Sequence, residues 1–291
     1  MSVPPEIRCR EIHASDLAAT VTLLDRGFPG RGRNHWARGL QRMAEHATPP
    51  GFPKYGYLLE ADRNPVGVVL VIFSSITFGD RTQIRGNVAS WFVEAAFRGY
   101  ATMLASHALA HKNVTFLNIS PGPRTGPILE AQGYAQFCSG QFCAFPALNI
   151  GSISGRVRTV APDIQSGEDL SASETQLLLA HANYGCISVT CSAQGRRYPF
   201  VFMRAWHRWK IGALPYALLV YCRDIESFIR FAGPLGRFLA LRGMPMVFIN
   251  SNGLIPGLIG TMVDAGPKYF RGPYPPHFGD IAYTERVMFG L

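Results

Sequence analysis

The sequence predicts an α/β protein built from two similar units in tandem. Three observations carry this. Residues 87–103 read as a strand, a tight loop and a helix. The chain downstream alternates strand and helix as far as Phe137. The same order of elements then returns after residue 170.

In order, Ile7–Ile12 is an opening strand. Ser15 and Asp16 offer caps to a helix over Leu17–Gly27, with Leu17, Val21 and Leu24 on one face. Phe28–Asn34 is a break rich in Gly, Arg and Pro. Trp36, Leu40 and Met43 recur at helical spacing, and the Pro49–Pro53 run ends that helix. Tyr55–Ala61 and Val66–Ile76 are apolar, β-branched strands joined by a hairpin at Asp62–Pro65.

Ser90–Val93 then reads as a buried strand. Glu94–Ala96 leaves it, and Phe97–Ala101 opens a helix that runs on through Leu104, His107 and Leu109. Gly99 lets the backbone turn and lets a ligand approach closely. The first turn of such a helix offers N–H groups and the positive end of a dipole, which suits a phosphate, and Arg98 adds a charged contact. Val114–Ser120 is the next strand. A Pro/Gly loop over Pro121–Arg124 follows, then a helix over Thr125–Gln132 closed by Gly133, and a strand from Tyr134 to Phe137.

This order resembles the Gcn5-related N-acetyltransferase superfamily. There V-x-P-x-x-R-G-x-G-x-G/A lies between the fourth strand and third helix and holds the acyl-CoA pyrophosphate. Here the run Val93–Met103 keeps Val93, Arg98 and Gly99, and has Ala95, Ala101 and Met103 at the Pro, Gly and final small positions. The family's L-Y-E-K-L-G-F segment is similar to Ile128–Tyr134, with Leu129 where the family often has its acidic Tyr. The resemblance spans roughly residues 6–145. It implies a mixed, mostly antiparallel sheet flanked by helices in each unit. It also implies acetyl-CoA or another acyl-CoA as co-substrate, bound at Phe92, Val93, Arg98, Gly99, Tyr100, Ala101 and Thr102.

The chain has 291 residues, enough for two units, with 47% hydrophobic and 16% charged residues. Its net charge is +9, yet residues 1–150 carry 14 basic and 10 acidic residues and residues 151–291 carry 14 and 9, so there is no basic arm. Of six cysteines, the pairs Cys138/Cys143 and Cys186/Cys191 lack a common zinc spacing and have apolar neighbours in Phe137, Phe142, Ile187 and Val189. Buried free thiols and no metal are expected. MSVPPEIRCR has no apolar signal core, and the longest apolar run, Val66–Phe73, is too short to span a bilayer. A cytoplasmic monomer or homodimer with no membrane or nucleic-acid partner is expected.

Residues 146–170 read as a Gly/Ser/Pro-rich connector between a unit at 1–145 and a degenerate one at 171–291. Ser173, with Gln176, begins a helix through His181. Gly185–Cys191, Phe200–Trp206 and Leu214–Cys222 are strands, and Asp224 caps a helix over Ile225–Leu241. Met246–Asn250 is a strand, Gly257–Asp264 a helix and Ile281–Met288 a last strand. In place of an Arg-Gly turn this half has Cys222–Glu226, so acyl-CoA is assigned to the first unit alone.

Acyl transfer asks that the acceptor lose a proton, the thioester carbonyl be polarised and the thiolate be protonated. The resemblance implies that a backbone N–H near Phe92–Val93 polarises the carbonyl. Glu94, at the end of the central strand, is the catalytic candidate. His35 lies in the acceptor loop with Arg26, Arg31, Arg33, Arg38 and Arg42, and His107 is structural. Ser120 and Thr125 are alternatives for protonating the thiolate. The cation- and aromatic-rich runs Tyr198–Lys210 and Lys268–His277 read as strand and crossover, or as a binding lip. The expected function is transfer of an acyl group to an amine or hydroxyl of a small molecule or sugar. A binding protein that kept the fold, and an aminoacyl-tRNA-dependent transferase, are the rivals.

Overall fold

A computed structural model of the chain describes residues 5–78, 81–209 and 212–290. In chain order the elements are β1 (Ile7–Glu11), α1 (Leu17–Gly27), α2 (Arg33–Glu45), β2 (Gly56–Ala61), β3 (Asn64–Phe78), β4 (Arg81–Val93), α3 (Ala101–Ala108), β5 (Val114–Asn118), α4 (Gly126–Ala131), β6 (Ala135–Cys138) and β7 (Gly140–Ala144). There follow β8 (Arg156–Thr159), α5 (Ala172–Asn183), β9 (Ile187–Ala193), β10 (Arg196–Trp209), β11 (Gly212–Cys222), α6 (Ile225–Arg230), α7 (Ala232–Ala240), β12 (Val247–Ser251), β13 (Gly260–Val263), β14 (Lys268–Arg271) and α8 (Glu285–Phe289). They build two seven-stranded mixed sheets, ordered β1-β2-β3-β4-β5-β14-β6 and β13-β7-β12-β11-β10-β9-β8. The β4/β5 and β11/β12 pairs are parallel, and β1 through β4 are antiparallel neighbours.

The chain folds into two compact units. One comprises 1–118, 270–274 and 283–290; the other comprises 119–269 and 275–282. The position expected as a boundary, residue 145, falls just after β7, a strand of the second sheet.

In the first unit the β2/β3 hairpin turns at Asp62 and Arg63, both at positive φ, as a two-residue turn that matches strand twist requires. α1 and α2 bury Leu24, Trp36, Leu40 and Met43, the residues at helical spacing. Asp16 does not cap α1 with its side chain. Its carboxylate accepts from Arg10 and from the His13 N–H instead. Arg10 holds the carboxyl down at about 2, so the strand–helix junction is tied by charge rather than by a cap.

The second unit packs Phe200, Phe202, Phe228, Phe231 and Leu235 between its sheet and α6/α7. Five expectations are corrected here. The residues read as a connector contain β8, which pairs with β9. α5 is capped by Ser171, whose Oγ accepts from the Glu174 N–H while Glu174 accepts from the Ser171 N–H; this capping box lies two residues before Ser173. The helix over Ile225–Leu241 is two helices, α6 and α7, because Pro234 has no N–H to give the Arg230 carbonyl and the chain breaks at Phe231. Gly257–Asp264 is not a helix: Thr261, Met262 and Val263 form β13 and pair with β7. Likewise Ile281–Met288 is not a strand, and its last residues begin α8.

Among the described residues no helix is long and apolar enough to cross a membrane. The cysteines are free, with Cys138, Cys143, Cys191 and Cys222 buried. Burial pushes the Cys143 and Cys191 thiols up to about 11, which leaves them unreactive.

Candidate functional site

The site in the first unit is organised by β4. β5 pairs with it only from Ile84 to Asn87, opposite Val114 to Leu117, while β4 continues to Val93. Beyond Asn87 that edge of β4 has no β5 partner. On its other edge β4 pairs Val93 with Gly67 and Phe92 with Val68, and then Ala89 with Leu70. Ser90 and Trp91 thus face the single residue Val69, which is a β-bulge. Ser90 adopts φ +51, a left-handed conformation that a non-glycine residue rarely takes. The bulge re-aims the backbone of β4 where the parallel pairing has ended. It supplies main-chain groups at an open strand edge, the setting that polarising a carbonyl requires.

After β4 the chain makes a short tight helix over Ala95–Tyr100 and passes into α3. The Phe97 N–H donates to the Glu94 carbonyl and the Ala101 N–H to the Arg98 carbonyl. Gly99 is not at positive φ, so the turn itself does not demand glycine. What glycine leaves is space: a Cβ there would meet nothing within 4 Å. Arg98, Gly99 and Thr102 are exposed, as are Tyr100 and Met103, and Ala101 is half-buried. Val93 is buried. Phe92 is half-buried, with its ring against Gly27, where a Cβ would lie 2.4 Å away, and 6.4 Å from Phe28. The predicted binding residues therefore follow one another from the bulged strand to the first turn of α3, with Val93 buried and Arg98, Gly99, Tyr100 and Thr102 exposed.

Glu94 lies where expected, at the strand end. Its Oε1 accepts from Arg26 Nη1 at 2.7 Å, and its own N–H donates to the Val66 carbonyl. His35 packs edge-on to Trp36, 4.9 Å between centroids, and against Phe289; burial first, then Arg31 and Arg38, hold its imidazole below the ordinary value. The arginines of this region are spread over local partners: Arg33 to Thr22, Arg38 to the Asn34 carbonyl and Arg42 to the Val287 and Met288 carbonyls. His107 lies edge-on to Tyr57 at 5.0 Å, and Tyr57 Oη bonds His111 Nε2 at 2.6 Å. Burial pushes the Tyr57 phenol up to about 12.

One contact on β4 was not foreseen from the sequence, that of Asn87 with Glu285. Asn87 is the last β4 residue paired with β5. It is 1% exposed, and its Nδ2 donates to the Glu285 carboxylate. An Asn inside an apolar strand was the available signal.

In the second unit, Leu129 is buried in α4, and the Tyr134 N–H donates back to the Leu129 carbonyl in the helix-ending turn at Gly133. β11 and β12 also part early, after the pair Leu218/Phe248. Here the edge is filled. The Cys222 N–H donates to the Gly279 carbonyl at 2.8 Å, the Ile281 N–H donates to the Val220 carbonyl at 2.9 Å, and Tyr221 bridges to Asp280. Gly279 is required: a Cβ there would lie 2.3 Å from the Cys222 sulfur. The run Lys268–His277 begins as β14, with Lys268 and Tyr269 buried. Tyr198 stacks with Arg230 and Phe231 on the sheet face, and Lys210 lies outside the described residues. Among the described residues no group of three or more His, Cys, Asp or Glu is arranged to hold a metal ion.

No family model matches the chain, and no curated protein matches it by sequence. Solved structures do. A GCN5-related N-acetyltransferase from Anabaena variabilis is similar with a TM-score of 0.62 at 10% identity, over 91% of this chain and 72% of that one. A putative acetyltransferase from Pyrococcus horikoshii has a TM-score of 0.55 at 13% identity, over 95% and 93%. Eis1 from Mycobacterium abscessus has a TM-score of 0.53 at 12% identity, over 91% and 73%. The architecture is that of the GCN5-related N-acetyltransferase fold, carried as two units in tandem.

Proposed function

We propose that the chain is an acyltransferase that moves an acetyl or other acyl group from acyl-CoA to an amine or hydroxyl of a small molecule. The single observation behind this reading is the β4 edge: bulged at Ser90, unpaired by β5 beyond Asn87 and followed directly by the open Arg98–Gly99 turn. An acyl-pantetheine arm is an extended chain with amide groups, and an open strand edge is what it can pair with. Its pyrophosphate meets the N-terminal turn of α3, with Arg98 exposed beside it. Phe92 and Val93 flank the thioester, Tyr100, Ala101 and Thr102 line the phosphate end, and a β4 N–H polarises the carbonyl. Glu94 is the candidate proton acceptor at the strand end, with one oxygen engaged by Arg26. The second unit takes no acyl-CoA, since its corresponding edge is occupied by residues 279–281.

A fold kept only for binding is the second reading. It is favoured by Leu129, buried where the related fold often carries its acid. Thiol release separates the two. Acetyl-CoA is incubated with a panel of amines and alcohols, and free CoA is followed with a thiol reagent. Turnover above the rate without enzyme supports the transferase; acetyl-CoA binding with no release for any acceptor supports the binding protein.

A further inference from the structure

We propose that the acceptor carries an anionic group, a carboxylate or a phosphate, and that Arg31 and Arg38 are the residues that select it; this rests on the acyltransferase reading above. The segment from Arg26 to Ala44 holds five arginines, one histidine and no Asp or Glu. Its start is tied to the end of β4. Arg26 pairs with Glu94, Gly27 lies against the Phe92 ring, and Phe28 is 6.4 Å from that ring. The aromatic contacts continue from Phe28 to Trp36 at 5.4 Å and from Trp36 to His35 at 4.9 Å. Phe289 completes the group, 5.6 Å from Trp36 and 5.9 Å from His35. A line of rings therefore runs from the strand end, where the thioester is assigned, to His35. Arg31 and Arg38 stand at its far end, both near enough for their charges to act on the His35 imidazole.

The charges at that end are not neutralised within the chain. Arg26 meets a carboxylate, but among the described residues none pairs with Arg31, Arg33 or Arg38. Arg33 reaches Thr22 Oγ1 and Arg38 reaches the Asn34 carbonyl, each at 3.3 Å, and both partners are neutral. Arg31 and Arg38 are exposed. Gly30 and Gly32 flank Arg31, and a Cβ on either would meet nothing within 4 Å, so the loop leaves room beside the guanidinium.

Trp36 gives an independent sign. It is 4% exposed, and its indole N–H is buried with no hydrogen-bond partner among the described residues. An unpaired buried donor is uncommon and asks for an acceptor. An indole N–H and a guanidinium both donate and cannot accept, so the open groups along this line are donors of one kind. A carboxylate or phosphate has only acceptor oxygens to offer and matches the guanidinium fork. A cationic acceptor such as a polyamine meets like charge there instead. The transfer itself balances as before. The acceptor nitrogen or oxygen bonds to the thioester carbonyl carbon, the C–S bond breaks with its electron pair on sulfur, and the proton lost by the acceptor ends on the CoA thiol.

The test uses the full chain, acetyl-CoA and three matched sets of acceptors at one ionic strength, with CoA release followed by a thiol reagent. The sets are 4-aminobutyrate with n-butylamine and 1,4-diaminobutane, O-phosphoethanolamine with ethanolamine, and glycerol 3-phosphate with glycerol. In at least one set the anionic member should exceed its counterparts in kcat/KM by about 10-fold or more, as charge-assisted bonds to a guanidinium do. A lead for 4-aminobutyrate assigns a carboxylate, and a lead for either phosphate ester assigns a phosphate. The double variant Arg31→Gln/Arg38→Gln should bring that ratio below about threefold, chiefly by raising the KM of the anionic acceptor, with the KM for acetyl-CoA within about twofold of wild type. Arg31→Glu/Arg38→Glu should reverse the order and favour 1,4-diaminobutane over 4-aminobutyrate, a change that a merely structural role does not produce. Circular dichroism and unchanged acetyl-CoA affinity confirm that each variant is folded. Counterparts used as well as the anionic members in all three sets overturn the proposal. So does a double variant that keeps the preference or lowers every acceptor alike. Acetyl-CoA binding without turnover of any anionic acceptor overturns it while leaving the acyl-CoA site standing. No acetyl-CoA binding at all removes the acyltransferase reading, and the proposal with it.

Discussion

At the scale of single residues, the buried polar groups decide most. His46 is 5% exposed, and its Nε2 lies 2.8 Å from the Phe73 carbonyl, so that nitrogen carries the proton. Burial, the largest effect, lowers its imidazole below the ordinary value; the Phe73 bond works against this and Lys54 with it. The folded state therefore binds the proton less well than the unfolded one. His46 contributes stability above the unfolded value, about 6.5, and that contribution is lost as pH falls below it. Thermal denaturation from pH 8 to pH 5 should show wild type losing stability faster than His46→Gln over the lower part of the range; parallel curves would remove His46 from the account. Asp169 works in a lower window. The Arg197 guanidinium, with the Arg197 N–H, holds its carboxyl at about 2. Its contribution is complete above the unfolded value and lost between about pH 4 and 2.

At the scale of elements, two glycines and one serine make opposite predictions from the usual propensities. Gly236 sits inside α7, where alanine is normally the better helix former. Its Cβ would lie 2.1 Å from the Ala147 N and 2.5 Å from the Pro146 carbonyl carbon, both backbone atoms. Gly236→Ala should therefore cost about 1–3 kcal/mol by overpacking, read from urea denaturation, rather than stabilise. Gly99→Ala, with open space around it, should leave stability within about 0.5 kcal/mol. Ser90, at φ +51 in the bulge, should tolerate Gly; a β-branched Val there should cost about 1–3 kcal/mol and weaken acyl-CoA binding, because the bulge could not keep its shape.

Elements were legible wherever one local force ruled. The continuous apolar runs of β2 and β3 and the period-3.6 spacing over α1 and α2 matched the structure, because burial on both faces sets the first and burial on one face the second. They failed where a distant partner decided. β13 is a strand only because β7 offers it an edge, and Pro234 splits what the apolar spacing alone reads as one helix. In the site, the turn at Arg98–Gly99 was visible as a motif. The contact of Glu285 with Asn87 joins residues 198 apart in sequence and leaves no local trace.

At the scale of the whole molecule, the two sheets differ in one respect that bears on function. Each sets a parallel pair at its centre and lets that pair part early. In one unit the edge so exposed is bulged and leads to an open helix start. In the other, residues 279–281 hydrogen-bond to β11 and Gly279 seats against Cys222. The proposal of a single acyl-CoA site in a duplicated fold rests on that difference. Similarity to solved acetyltransferases at 10–13% identity carries the fold, and the occupied edge carries the asymmetry.

The measurement that bears most directly on this is the stoichiometry of acetyl-CoA binding by isothermal titration, with wild type and Gly99→Trp compared. Gly99 has no neighbour within 4 Å of a Cβ, so the indole enters the space a phosphate would use without disturbing the packed chain. One acetyl-CoA per chain, lost in Gly99→Trp while the unfolding midpoint is unchanged, is the predicted result. Two per chain, or binding that survives the substitution undiminished, would contradict a single site at the first unit's β4–α3 turn.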